Sequence, residues 1–221
     1  MATLDLQEQE QLDNLKAFWQ RWGNLITTVI TLALLAFAGW NGWNWWQREQ
    51  GLKASMLYDE VERAVDAKDG DKALRMWLQM KEQMPRATFT THAALLTAQS
   101  LQNLKKADAA LAPLEWAAEK AEPAALRDLA LLRLASAHLE AKRYAPAEAA
   151  LVKVESAAYA ALVADRRGDL AQLQGQADKA REHYRAAYLA LPEEQPYRRF
   201  VEAKLTALAV DVSSLAAKES K

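Results

Sequence analysis

Residues 25–46, LITTVITLALLAFAGWNGWNWW, decide the fold of this chain, because no charged side chain occurs among them. At a rise of about 1.5 Å per residue, a helix over this range is about 33 Å long, close to the roughly 30 Å hydrocarbon core of a bilayer. Indole rings favour membrane interfaces, and tryptophans stand at both ends of the stretch: Trp19, Trp22, Trp40, Trp43, Trp45 and Trp46. The sequence therefore predicts a tail (1–24), one transmembrane helix (25–46) and a domain (47–221).

Two alternatives compete with a transmembrane helix. Ala36-Phe37-Ala38 has the small-x-small form of a signal-peptide cleavage site, but the segment before the apolar run is long and acidic, where a signal peptide is short and basic. A buried helix of a soluble protein is the other alternative, and tryptophans clustered at one end are less typical of a close-packed core. The flanking charges do not decide the orientation. The size of the downstream domain favours a cytoplasmic N-terminus.

The composition restricts the function. The chain has 221 residues, with 28 basic and 29 acidic side chains and no cysteine. This length leaves room for a tail, an anchor and one domain. A nearly neutral charge gives no basic field for nucleic acid, and the lack of cysteine excludes disulfides and thiolate metal sites.

After residue 48 the sequence is rich in helix-forming residues and shows no strand pattern, which predicts nine helices between residues 49 and 209. Alanines that open every second helix recur at intervals of 34, 40 and 33 residues, close to the tetratricopeptide period: Ala73, Ala107, Ala147 and Ala180. A large apolar residue is expected four positions later, at Trp77, Leu111, Leu151 and Tyr184. The longest interval predicts an elongated loop around residues 118–124.

The last helix follows Pro196 and has no partner in the repeat pattern. A helix in this position is expected to cap the open end of a solenoid. The predicted fold class is therefore all-α: a single N-terminal transmembrane helix followed by a tetratricopeptide-like α-solenoid with a C-terminal capping helix.

Several short motifs carry a resemblance over nearly the whole chain. They are Glu10-Gln11-Leu12 in the tail, Gly39-Trp40 at the end of the anchor, Ala54-Ser55 with Tyr58, Leu132-Arg133-Leu134-Ala135, and Arg167-Gly168-Asp169. In this order they resemble the YfgM-like family of bacterial inner-membrane proteins, which are ancillary subunits of the SecYEG translocon with a tetratricopeptide-like domain.

The resemblance implies a single-pass protein of the bacterial inner membrane, with a cytoplasmic N-terminus and a periplasmic C-terminal domain. It also implies association with the SecYEG translocon and with a membrane-anchored periplasmic prolyl isomerase that has chaperone activity. On this basis the expected function is an adaptor that assists the transfer of secreted client proteins. A structural scaffold of a cell-envelope or division complex, without client contact, is the alternative.

No catalytic or metal site can be recognised in the sequence. The three histidines, His92, His138 and His183, are 46 and 45 residues apart, and none has a second ligand at helical spacing. His138 falls where a first helix packs against its partner, which predicts a core or interface residue. We therefore expect no enzyme activity and no cofactor.

The first helix of each repeat is expected to line the concave face of the solenoid. That face is predicted to be largely apolar and to bind a partner or client segment. Some of its leucines could instead contact the capping helix. The repeat register assigns ten residues to this groove: Tyr58, Glu62, Phe89, His92, Leu96, Leu129, Leu132, Leu162, Asp165 and Asp169.

A second candidate surface lies on the membrane helix. Small and polar residues share one side of it, which allows another helix to approach closely and to form hydrogen bonds. Average membrane-helix composition is the alternative explanation. The predicted packing residues are Thr27, Thr31, Ala38, Asn41 and Gly42, with Leu34 among them.

Overall fold

The computed structural model describes the backbone of residues 6–212 and the side chains of residues 12–212. Residues 1–5 of the predicted tail and residues 213–221 of the predicted domain lie outside this range. The chain divides into two compact units, Met1–Leu52 and Lys53–Lys221.

The described part of the first unit is a single helix. Helix α1, Leu6–Asp66, contains the whole charge-free stretch. Among the described helices it is the one that is long and apolar enough to cross a membrane, and the large apolar side chains of its charge-free stretch are almost all exposed. Such a continuous apolar surface suits contact with lipid.

The second unit is built from helices, and its described residues include no strand. After α1 come α2 Gly70–Gln83, α3 Thr88–Asn103, α4 Ala107–Lys120, α5 Ala124–Glu140, α6 Tyr144–Val152, a 3-10 turn Ala157–Tyr159, α7 Ala160–Leu173, α8 Ala177–Ala190 and α9 Tyr197–Ala207. The predicted all-α fold is confirmed, and α9, the last helix among the residues up to 212, packs on α8.

The repeat register differs from the predicted one at a single copy. The fourth residue of α2, α4, α6 and α8 is a fully buried alanine in each case: Ala73, Ala110, Ala147 and Ala180. The prediction of Ala107 is wrong, because that residue begins α4 and is only half-buried. The true intervals are 37, 37 and 33 residues. Alanines at 107, 109, 110 and 112 made several registers equally acceptable from spacing alone.

The same correction moves the large apolar residue. Four positions after each alanine lie Trp77, Leu114, Leu151 and Tyr184, all fully buried, so the prediction of Leu111 is wrong. The elongated loop at 118–124 is also wrong, since only residues 121–123 separate α4 from α5. The difference in period lies largely in α6, which has 9 residues where α2 and α4 have 14.

Each first helix ends in the same turn. A residue just after the helix has a left-handed backbone conformation. The N–H of the residue that follows it donates a hydrogen bond to the carbonyl oxygen five positions earlier, as in a Schellman motif. The left-handed positions, with φ from 55° to 75°, are Lys68, Lys105, Lys142 and Gly175. They follow the 37, 37 and 33 spacing, so the loops support the corrected register independently of the core.

His138 lies in the core, as predicted, and is 8% exposed. In the corrected register it takes the place of Ala64, Leu101 and Ala171, which are all buried and apolar. The buried imidazole Nδ1 has no hydrogen-bond partner among the described residues. Burial lowers the pKa of His138, with smaller effects of Glu115 and Arg143 that oppose each other.

This lowered pKa predicts a pH-dependent stability. Because the folded protein binds a proton at His138 less readily than the unfolded chain does, acid favours unfolding. The contribution of His138 to stability is therefore complete above pH about 6.5 and is lost as the pH falls toward the folded-state pKa. Leucine occupies the equivalent position 101. We therefore expect His138→Leu to reduce the fall in melting temperature between neutral and mildly acidic pH. Circular dichroism of the full chain in detergent measures this. Exposed His92→Gln is the control, and an unchanged pH dependence in His138→Leu contradicts the prediction.

A groove between the first helices and an ion cluster at the cap

The first helices α3, α5 and α7 are linked directly by side-chain hydrogen bonds. Arg133 on α5 donates from Nη1 to the carbonyl oxygen of Leu95 on α3, at 3.2 Å. Arg166 on α7 donates from Nε to the hydroxyl of Ser136 on α5, at 2.8 Å. In the corrected register Arg166 is the equivalent of Arg133, so equivalent arginines link successive first helices, although their donor atoms and acceptors differ.

A groove of about 670 Å³ opens between α5, α7 and the loop that leads into α9. It brings together three of the predicted residues, Leu129, Leu132 and Leu162. We call it the first-helix groove; its lining consists of Leu129, Leu132, Arg133, Ser136, Ala158, Tyr159, Ala161, Leu162, Arg166, Leu191, Gln195, Pro196 and Tyr197. Most of these side chains are apolar or aromatic, and no described carboxylate is among them.

Sequence reasoning missed several residues of this groove. Arg133 was detectable, since it shares the register of Arg166 on the next first helix. Pro196 and Tyr197 could not be assigned, because Pro196 ends the six-residue connection between α8 and α9 and Tyr197 begins α9, and the path of that connection depends on tertiary packing. Tyr159 lies in the short 3-10 turn before α7, and its hydroxyl donates to the carbonyl of Ala125 at 3.3 Å.

Asp165 and Asp169, both predicted for the groove, lie instead in a cluster of charged groups beside it. Asp165 is fully buried; its Oδ2 accepts from Arg166 Nη1 at 2.6 Å and from the hydroxyl of Tyr197 at 2.7 Å. Lys204 on α9 donates to Asp165 Oδ1 and to Asp169 Oδ1, each at 2.7 Å. Two carboxylates and two cations thus balance one another where α9 meets α7. The ion cluster, defined by these five residues, attaches the capping helix.

Tyrosine hydroxyls complete the hydrogen bonding of the cluster. Tyr184 on α8 donates to Asp169 Oδ1 at 2.7 Å and contacts Gln172 Oε1 at 2.9 Å. Burial, and then the bond to Asp169, raise the pKa of Tyr184. Burial is also the main cause that raises the pKa of Tyr197 to about 12, although the charge of Arg166 opposes it. Both phenols are therefore neutral donors at physiological pH.

The remaining predicted groove residues lie on α1 and α3 and do not line the first-helix groove. The rings of Tyr58 and Phe89 are in contact, with centroids 5.6 Å apart, and Phe89 is 38% exposed. Glu62 is exposed and raises the pKa of Tyr58, after the larger effect of burial. His92 is exposed, and Leu96 is half-buried against the core.

The predicted packing residues of the membrane helix are exposed within the first unit. Thr27 donates from Oγ1 to the carbonyl of Gly23 at 2.8 Å, and Asn41 donates from Nδ2 to the carbonyl of Phe37 at 3.2 Å. A Cβ at Gly42 would have no neighbour within 4 Å. Thr31 and Ala38 lie on the same helix. Thr27 and Asn41 thus donate to carbonyls of their own helix, and the side of the helix that carries the five residues is exposed.

Among the residues that the structure describes, no group of three histidine, aspartate or glutamate side chains is arranged to hold a metal ion. The described polar clusters are internal ion pairs rather than a nucleophile aligned with a base. What the geometry offers is an open apolar groove beside a closed, neutralised ion cluster.

Comparisons with known proteins agree with this architecture. A family model described as "Tetratricopeptide repeat-like domain" matches residues 16–210. The chain is 26% identical over 204 residues to a protein of Neisseria gonorrhoeae called "Ancillary SecYEG translocon subunit", with 92% of this chain and 98% of that protein covered. The resemblance to YfgM-like proteins is confirmed by these two matches. Because the family model covers well over half of the sequence, the chain belongs to the tetratricopeptide repeat-like domain family.

Proposed function

We propose that this protein is an ancillary subunit of the SecYEG translocon, acting as a non-catalytic, membrane-anchored adaptor for secreted proteins. The observation that carries the proposal is the first-helix groove, which is open, mostly apolar and lined by leucines of successive repeats. Grooves of this kind bind apolar anchors of extended or helical segments. The near full-length likeness to a protein named as a translocon subunit supports the same conclusion.

The proposed membrane arrangement places residues 1–24 in the cytoplasm, residues 25–46 in the bacterial inner membrane and residues 47–221 in the periplasm. Long downstream domains are translocated largely regardless of their charge, which supports this orientation. Protease added to spheroplasts should therefore degrade the domain. Protection of the domain until the membrane is disrupted would reverse the proposed orientation.

The proposed partners use two different surfaces. Secreted clients and the periplasmic domain of a membrane-anchored prolyl isomerase would contact the first-helix groove and the exposed ring of Phe89. The translocon's own helices, or the anchor of the isomerase, would pack on the membrane helix along Thr27, Thr31, Ala38, Asn41 and Gly42. Both assignments rest on exposed surfaces whose chemistry fits the partner: apolar anchors in one case, close helix approach in the other.

Aspartate substitutions in the groove and at the exposed ring of Phe89 test the proposal. We expect Phe89→Asp combined with Leu129→Asp to reduce crosslinking to secreted chains or to the isomerase several-fold, because carboxylates desolvated against apolar anchors cost several kcal/mol. Both sites are partly exposed, so helicity and membrane insertion should be retained. Crosslinking yield in membrane vesicles is the readout.

Leu189→Asp is the matched control, since Leu189 is 43% exposed on the second helix α8 and does not line the groove. Equal loss in both variants would indicate general damage to the fold. Unchanged crosslinking in a folded groove variant would contradict client binding there and favour a scaffold that organises an envelope complex without touching clients.

A further inference from the structure

The first-helix groove contains a positive charge that the chain does not balance. The structure describes five half-buried arginines, at positions 127, 133, 166, 167 and 181. Four of them pair with carboxylates: Arg127 with Glu155, Arg166 with Asp165, Arg167 with Glu148 and Arg181 with Asp178. Arg133 forms no ion pair with any described aspartate or glutamate, and its hydrogen bond is to the carbonyl of Leu95.

Arg166, unlike Arg133, has a counter-charge within the chain. Both arginines lie at the same repeat position, line the groove and donate to the neighbouring first helix. The charge of Arg166 is neutralised within the ion cluster, where Asp165 and Asp169 face Arg166 and Lys204. Since the groove has no described carboxylate in its lining, its net charge comes from Arg133.

Burial without a counter-charge has an energetic consequence. Partial loss of water disfavours the charged guanidinium, and burial accordingly lowers the pKa of Arg133, with no compensating acid nearby. A guanidinium offers five N–H donors in a planar fork that fits a carboxylate in two places. Only one of these donors is bonded to Leu95, so the others can donate hydrogen bonds to an incoming carboxylate.

Resting on the proposed function, we infer that the first-helix groove binds an extended protein segment in which an apolar side chain is followed closely by an aspartate or glutamate. The apolar side chain packs among Leu129, Leu132 and Leu162, and the carboxylate accepts hydrogen bonds from Arg133. The adaptor thus selects acidic-apolar segments over basic-apolar ones. Charge complementarity, rather than apolar area alone, sets its preference.

The test uses the full chain in lipid nanodiscs and three fluorescent peptides of about ten residues, a length suited to an extended groove. The peptides alternate leucine with glutamate, with glutamine or with lysine. We expect the leucine–glutamate peptide to bind about tenfold more tightly than the leucine–glutamine peptide, as for a charge-assisted pair. The leucine–lysine peptide should bind most weakly.

Arg133→Gln should remove the difference between the glutamate and glutamine peptides, while Arg185→Gln, an exposed arginine outside the groove, should keep it. A persistent preference for glutamate in Arg133→Gln overturns the inference, as does equal binding of the two peptides to the unmodified protein. If the unmodified protein binds the glutamate and glutamine peptides equally but Leu129→Asp binds both more weakly, the proposed groove function remains intact. Loss of all peptide binding and of client crosslinking rejects both.

Discussion

Replacing Asp165 by alanine is expected to destabilise the second unit by about 3–5 kcal/mol, because it leaves Arg166 and Lys204 partly buried against the single carboxylate of Asp169. Asp165 is fully buried and accepts bonds from Arg166, Lys204 and Tyr197. The melting temperature should fall on the order of 10 °C. Limited proteolysis should then cut first within α9, since the cluster attaches that helix.

Asp178→Ala is a closely matched control. Asp178 contacts Arg181 at 2.5 Å, as short as the contact of Asp165 with Arg166, but its side chain is 97% exposed. An exposed pair contributes little because water and salt screen it, so we expect a loss below about 0.5 kcal/mol. If thermal unfolding shows equal losses for the two variants, burial is not what makes the ion cluster strong.

Gly168→Ala is expected to cost about 2–3 kcal/mol, although alanine is the better helix former. A Cβ at position 168 would lie 2.4 Å from two ring carbons of Tyr184. That ring cannot withdraw easily, since it is fully buried and its hydroxyl bonds Asp169 and Gln172. Urea or thermal unfolding of Gly168→Ala measures the cost.

The repeats themselves supply the compensating change. The positions equivalent to Gly168 and Tyr184 are Ala98 with Leu114, and Ala135 with Leu151, and all four are fully buried. In a Tyr184→Leu background, Gly168→Ala should therefore become neutral or stabilising by about 0.5–1 kcal/mol, through helix propensity alone. A cost that persists unchanged in that background contradicts a direct clash between the two residues.

Much of the fold could be predicted because its determinants are local. The charge-free stretch 25–46 predicts its own helix from length and polarity alone, and the helix boundaries of the repeats follow from short polar loops. The register in the middle repeats could not be fixed, since alanine recurs at 107, 109, 110 and 112 and any of them fits a close helix contact. In the structure, complete burial distinguishes Ala110 from its neighbours.

The candidate site could be predicted in part for a related reason. Leu129, Leu132 and Leu162 follow the repeat pattern, so their common face is readable from the sequence. The separation of Asp165 from that face cannot be read from the sequence. It depends on Lys204 and Tyr197, which come from a helix more than thirty residues later in the chain. The unbalanced charge of Arg133 likewise emerges only from the structure, because the sequence does not show that the lining of the groove lacks a carboxylate.

Photocrosslinking from single positions tests the adaptor function most directly. A photoreactive residue would replace Leu129 in the groove or Leu189 on α8, in intact cells whose secreted proteins are being exported. Translocon adaptor function predicts crosslinks from position 129 to secreted chains whose signal sequences have been removed, and few or none from position 189. Absence of secreted chains at position 129, or equal crosslinking from both positions, would contradict client binding in the first-helix groove.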